Sequence, residues 1–381
     1  MMSRFLRTSL AVGVPLVAIA ALVLPRALPA AAPAKKSLGF VITDYNLAGY
    51  ETKYFDECPE GLAIGNDELW WKGLSPQDRD KLTNSGLIEP VDPPRRPTAA
   101  LRGPNKEDVC WNPTITKDPP LRVIKGKIGR GFNMDGTEDG KATAKTCAHE
   151  KFTSPDGSTK VDNQMYRILG CIYGWRRGNY MEGHANRERR DSSQGIILVD
   201  VSGVDDVKND PSVTVTYYST VDLLQKDSAG GILPWASYRP SDTPHYGAKA
   251  KGKIVDGHVI AEPVDARLPL FGNNVTGDMI YKGLRLDLDL TKAAPDGSYS
   301  GLLAGYRDFE NWWDYIRKIE FLTVTGQWSC PAIWVASQEL ADGYPDPKTG
   351  KCTAISEAMD ITAVPAFVVP REARTAQAQG K

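Results

Sequence analysis

Leu284, Leu286, Leu288 and Leu290 alternate with Arg285, Asp287 and Asp289. This strict period of two constrains the chain more than any other stretch, because only a strand turns alternate side chains to a dry core and to water. Val213, Val215 and Tyr217 alternate with Thr214, Thr216 and Tyr218 in the same way. Ile196 to Val201 is an apolar run broken only by Asp200, as suits a more central strand. Ile254-Val255-Asp256-Gly257-His258-Val259 sets Asp-Gly, the pair that type I′ turns favour, between two strand halves. Further strands are expected at 38–45, 165–175, 299–304, 333–336 and 363–369.

Two helix starts interrupt this pattern. Ser75 is placed to cap, Pro76 suits the first helical position and Asp78 completes a capping box, which predicts a helix over 76–84 with Gly86 just past its end. Asp308 is placed to cap a second helix whose Phe309, Trp312, Trp313, Ile316 and Ile319 share one broad face, a stripe that buries against a sheet. Eight prolines from Pro90 to Pro120 forbid regular helix and leave an extended connector, tied down through Cys110 and Trp111. Together these features predict a mainly β chain: an antiparallel β-sandwich or jelly roll, disulfide-stapled, with an N-terminal extension and one docked amphipathic helix. The expected organisation is a leader at 1–34, an extension with the short helix and the connector at 35–126, the β-sandwich domain with its C-terminal helix at 127–370, and a disordered tail at 371–381.

Arg4 and Arg7 precede an apolar run from Leu10 to Leu24, and Ala30-Ala31-Ala32 or Ala32-Pro33-Ala34 offers a small-x-small cleavage site, the pattern of a secretory signal peptide. The run, closed by Pro25, is shorter than the about 20 residues a bilayer span needs. The mature protein is therefore expected to be soluble, secreted or periplasmic, with no transmembrane segment after cleavage. Residues 1–34 hold three arginines and no acidic residue, so their removal takes the formal charge from −1 to −4, which argues against nucleic acid as a partner. All six cysteines, Cys58, Cys110, Cys147, Cys171, Cys330 and Cys352, lie beyond the leader, and an even count in an exported chain reads as three disulfides. Their clustering suggests pairing of neighbours: Cys58 with Cys110, Cys147 with Cys171, and Cys330 with Cys352.

Three places offer chemistry. Asn133-Met134-Asp135-Gly136-Thr137-Glu138-Asp139-Gly140 sets oxygen-bearing side chains at alternate positions, Asn133, Asp135, Thr137 and Asp139, and Asp162 with Asn163 can complete the shell of hard oxygens that calcium favours. The twelfth position is Ala144 rather than Glu, so the loop is not an EF-hand; it reads either as a site for a structural calcium ion or as a turn-rich loop whose Asp and Asn bond their own backbone. Arg176, Arg177 and Arg187, with Arg189, Arg190 and His184, gather in a glycine-containing loop where forked guanidinium contacts suit a phosphate, sulfate or uronate. Glu182, Glu188 and Asp191 are interleaved with them. Trp70 and Trp71 are adjacent in a segment read as extended, where they point opposite ways and leave one ring for stacking on a sugar.

Further acids cluster at Asp200, Asp205, Asp206 and Asp210 and at Asp342 and Asp346, in segments read as loops. No Gly-x-Ser-x-Gly elbow, zinc-protease histidine pair or phosphate loop after a strand occurs, and no catalytic residue is assigned. The reading these observations favour is an exported protein that recognises an extracellular ligand such as a glycan or a cell-envelope polymer. Its rivals are an exported polymer hydrolase with a carboxylate pair drawn from Asp135, Asp200, Asp205 or Asp308, and a structural envelope protein with no small ligand.

Overall fold

The computed structural model describes residues 36–85 and 100–369. The leader at 1–34, Gly86, the prolines between 90 and 97 and the tail at 371–381 lie outside the described residues. In chain order the strands are β1 (Lys36–Leu47), two short ones, β2 (Phe152–Thr153) and β3 (Lys160–Val161), then β4 (Ile197–Val204), β5 (Asp210–Ser219) and β6 (Ala236–Tyr238). They continue with β7 (Ala248–Val255), β8 (His258–Gly272), β9 (Val275–Asp289), β10 (Tyr299–Asp308), β11 (Gly343–Pro345) and β12 (Cys352–Val368). The helices are α1 (Asn66–Gly73), α2 (Pro76–Asn84), α3 (Gln164–Leu169), α4 (Tyr180–Ser192), α5 (Phe309–Lys318), α6 (Thr323–Gly326) and α7 (Cys330–Leu340). None of the described helices is long and apolar enough to cross a membrane.

The mainly antiparallel β architecture is as expected. Its long strands pair in chain order, β1-β4-β5-β7-β8-β9-β10-β12, and β12 pairs back onto β1, so the facing walls belong to one continuous sheet closed into a ring. The alternation of the leucine strand is realised as read: Leu284, Leu286 and Leu288 point into the ring, where Phe40, Val215 and Ile361 meet them. An eight-strand ring has an interior just wide enough for side chains to fill, and here they fill it, so binding chemistry is confined to the outside and the ends. The hairpin between β7 and β8 turns at Asp256 (φ +49°) and Gly257 (φ +82°), both left-handed as a type I′ turn requires.

A second core lies outside the ring, where α3, α5 and α7 pack their apolar faces. Asp308 caps α5 by accepting the Asn311 N–H at 2.8 Å, and Phe309, Trp312, Trp313 and Ile316 are buried beside Trp328 and Ile333. Ser75 likewise caps α2 through the Asp78 N–H. Two expected strands are helical instead. Residues 165–175 form α3 and a following turn of 3-10 helix: every side chain of α3 is buried, so polarity carries no period, and the start signal is Asn163, whose side chain accepts the Tyr166 N–H at 3.1 Å. Residues 333–336 belong to α7, which Ser329 caps and Pro331 opens.

The six cysteines are all bridged, but not to their neighbours. The bonds join Cys58 to Cys171, Cys110 to Cys330 and Cys147 to Cys352. Neighbour pairing fails because the extension does not fold on itself. It runs across the helical layer, where Cys58 meets Cys171 and Cys110 meets Cys330, while Cys147, beyond the extension, meets Cys352 at the start of β12. At sequence separations of 113, 220 and 205, each bridge closes a longer loop than neighbour pairing would, worth about 5 kcal/mol in the chain-entropy account against about 3–4. A non-reducing peptide map is expected to show these three links and no free thiol; a Cys58–Cys110 peptide would contradict them.

Leu286 is 1% exposed inside the ring. Leu286→Ala is expected to lower the unfolding free energy in urea by about 2–5 kcal/mol, through lost burial and a residual cavity. A loss within about 0.5 kcal/mol, the size of a surface effect, would mean that the strand register differs from the one described.

Candidate functional site

Because Leu286 and Leu288 point inward, Asp287 and Asp289 point out. Strand register then sets a row across the outer wall: Asp287 on β9 is opposite Leu302 on β10, Leu302 is opposite Asp360 on β12, and Asp360 is opposite Asn46 on β1. At the usual strand spacing this row is about 15 Å long. It floors a groove of about 480 Å³ whose sides include Arg130, Arg177, His258 and Thr362.

The charges in the groove are organised around Asp360. Arg130 and Arg177 both donate to its Oδ2, at 2.7 and 3.0 Å, while its Oδ1 is buried without a hydrogen-bond partner. Burial raises the Asp360 carboxyl above the usual range, against the pull of the two guanidinium groups. At the other end His258 Nδ1 lies 2.8 Å from Asp287 Oδ1, and that bond raises the imidazole above its ordinary value. The groove thus offers fixed donors and acceptors of both signs beside apolar floor surface that includes Leu302.

A second constellation is buried beside β12. Asn133 Oδ1, Asp135 Oδ1 and Asp162 Oδ1 converge on Lys151 Nζ at 2.7, 2.5 and 3.0 Å. His149 Nε2 is 2.8 Å from Asp162 Oδ1, 3.7 Å from Asp342 Oδ2 and 3.9 Å from Asp135 Oδ2. Backbone contacts hold the loop in place: Arg285, on the outward face of β9, donates to the carbonyls of Asn133 and Met134, and Asp162 Oδ2 accepts the Met134 N–H at 2.7 Å. Burial opposes ionisation of Asp162, but its bonds to His149 and Lys151 outweigh that and hold its carboxyl below the usual range. Burial likewise opposes a charge on His149, yet Asp162 and Asp342 raise it to about 9, and Asp342 itself is pushed up to about 6 by burial. Tyr306, whose buried hydroxyl has no hydrogen-bond partner, is close enough to feel all three carboxylates.

Of the residues assigned to calcium, Asn133, Asp135 and Asp162 do meet, with the Lys151 ammonium among them. Thr137 bonds the Asp135 carboxylate, and Asp139 turns out to solvent, where Lys141 pairs with it at 2.6 Å. The ligand-binding arginines do not form one site. Most of residues 176–190 is α4 rather than loop, since its interleaved charges are helix neighbours such as His184 and Glu188, 3.4 Å apart. Arg176 is buried on Glu57 under the Phe55 ring, Arg177 reaches the groove, and Arg187 is exposed on α4. Trp70 and Trp71 lie on α1, not on an extended segment; Asp67 and Glu68 in its first turn and Lys72 in its last fit the helix dipole. Both rings are half-buried, with Arg79 over Trp71 at 5.7 Å. Asp308 is occupied in capping α5 and Asp200 bonds Ser37.

Lys151, His149 and Asp342 in the cluster and Arg130 and Asp360 in the groove are additions from the structure. Of the groove's acids, the outward face of Asp287 could be traced to strand alternation; its place beside His258 depends on the register between β8 and β9. No protein-family model, no curated protein and no solved structure matches this chain.

Between α4, α5 and the ring wall is a smaller cavity, about 90 Å³, lined by Tyr45, Glu182, Arg189 and Asn273 among others. Its lining is mainly apolar with a few polar groups, and it has room for a few waters only. Glu182 accepts the Leu47 N–H there at 2.8 Å, and burial pushes its carboxyl up to about 8, with Glu51 adding to the shift. In the unfolded chain the same group ionises near 4.5. Between these values the native state keeps a proton that the unfolded chain has released, so rising pH favours unfolding. Stability is expected to fall by a few kcal/mol across that window, and Glu182→Gln to flatten the slope in urea titrations at successive pH; an unchanged slope would remove Glu182 as its source.

Proposed function

We propose that the protein is exported and uses the groove across β9, β10, β12 and β1 to recognise a polyhydroxylated ligand, a glycan or cell-envelope polymer. The observation that carries this reading is Asp360. Two arginines fix one of its oxygens and leave the other, buried in the groove's floor, without a donor. Sugar hydroxyls can accept from the partly exposed Arg130 and Arg177 guanidinium groups that Asp360 holds in place, and the neighbouring Asn46, Thr362 and His258 can take up others. A row about 15 Å long meets more than one unit of a polymer. Three disulfides are in keeping with export, since such bonds persist in oxidising compartments.

The test is a glycan and envelope-polymer array read beside a hydrolysis screen. Binding without turnover is expected, and a hydrogen bond to a charged group is worth about 1.5–3 kcal/mol, so Asp360→Asn should bind at least about tenfold more weakly. Arg177→Ala, which frees Asp360 on one side, should also weaken binding. Turnover would instead assign a hydrolase with Asp287 and Asp360 across the groove, and silence in both assays would favour a structural envelope role.

A further inference from the structure

We propose that His149, Asp135, Asp162 and Asp342 bind one zinc-class divalent cation, held inside the fold as a structural ion. Ligand atoms about 2.0–2.2 Å from a tetrahedral zinc ion stand about 3.4 Å from one another. His149 Nε2 faces three carboxylate oxygens at 2.8, 3.7 and 3.9 Å, from Asp162, Asp342 and Asp135, and that spacing brackets the required one. The histidine is already oriented: its Nδ1 lies 2.9 Å from the Cys147 carbonyl, which takes the ring proton on that side and turns Nε2 to the acids. Metal-bound histidines are commonly held this way.

An independent observation comes from Asp342. The residue is fully buried, and its Oδ1 accepts the Ser356 N–H at 2.7 Å, but its Oδ2, aimed at the same point, has no hydrogen-bond partner. A buried carboxylate oxygen in that state is costly unless a cation meets it. Charge supports the same occupant. Three carboxylates against Lys151 leave two negative charges, which one divalent ion neutralises while His149 stays neutral. Lys151 holds Asp135 by Oδ1 at 2.5 Å, which leaves Asp135 Oδ2 for the ion, and it meets both oxygens of Asp162, Oδ1 at 3.0 Å and Oδ2 at 3.2 Å, so that the ion and the ammonium share that carboxylate.

The identity of the ion follows from the ligands. Calcium takes about six to eight oxygens, whereas a ring nitrogen with three carboxylates is a four-ligand set suited to zinc. The four side chains are almost wholly buried, so the shell is closed and the role structural.

The purified, untagged protein is stripped with a chelator, dialysed and titrated separately with zinc, cobalt or calcium. One zinc ion per chain is expected, with a rise in Tm by mass action, and cobalt is expected to show the strong visible absorption of a tetrahedral centre. Asp342→Asn keeps the shape of the side chain and its bond to Ser356, and is expected to bind zinc at least about tenfold more weakly. His149→Gln is expected to lose the cobalt spectrum. A parent protein that binds neither zinc nor cobalt overturns the proposal and leaves a proton shared by His149 and Asp162 as the occupant. A preference for calcium overturns it as well, and so does a folded Asp342→Asn protein that binds zinc like the parent. Should both variants fail to fold, the parent's titration and cobalt spectrum decide the matter.

Discussion

Pairing between the first long strand and the last is the interaction on which the rest depends. β1 and β12 run antiparallel from Gly39 opposite Ala366 to Leu47 opposite Met359. Without that seam the ring is an open, strongly twisted sheet with two long edges, an arrangement prone to pairing with other chains. With it, Phe40 and Ile42 close the interior against Met359 and Ile361. The approach is tight at Gly39, where a Cβ would stand 2.4 Å from the Ala366 carbonyl oxygen. The groove also crosses the seam, because Asn46 comes from β1 and Asp360 from β12.

How far this was legible in the sequence depends on whether the controlling contacts are local. The strand carrying Leu284 to Leu288 and the Asp-Gly hairpin were readable because period and turn chemistry are written in consecutive residues. So were the caps at Ser75 and Asp308, where one side chain meets an N–H three residues on. α3 was not, because burial on all sides erases the polar-apolar contrast, and α7 was not, because its exposed face carries the apolar Val335 and so reads as a continuous apolar run. Ring closure was out of reach too, since it rests on register between residues more than 300 positions apart. The same holds for the sites. Asn133, Asp135 and Asp162 were grouped correctly because oxygen-rich spacing is local, whereas Arg130 and Asp360 are separated by 230 residues, and nothing near either announces the other.

The buried charge cluster is tied to the fold by covalent as well as polar links. Cys147, two residues before His149, is bridged to Cys352 at the start of β12, and its N–H donates to the Asp342 carbonyl at 2.9 Å. Asp342 in turn holds Ser356, and Ser356 Oγ accepts the Gln164 N–H at the start of α3. The loop around Cys147, the helical layer and the ring therefore share one continuous set of bonds at this corner, and a change in any one of them is felt by the others.

The meander has a consequence in time. A chain made and threaded N-terminus first delivers β12 last of the long strands, so β1 and β10 keep a bare edge until almost the whole polypeptide has emerged. Cys58 and Cys110 also emerge before either native partner, Cys171 or Cys330, and until Cys147 follows, each has the other as its sole thiol neighbour. A bond formed early between them would have to be exchanged before the native pairs could close. The closed architecture is thus most open to wrong pairing before the final seventeen-residue strand arrives.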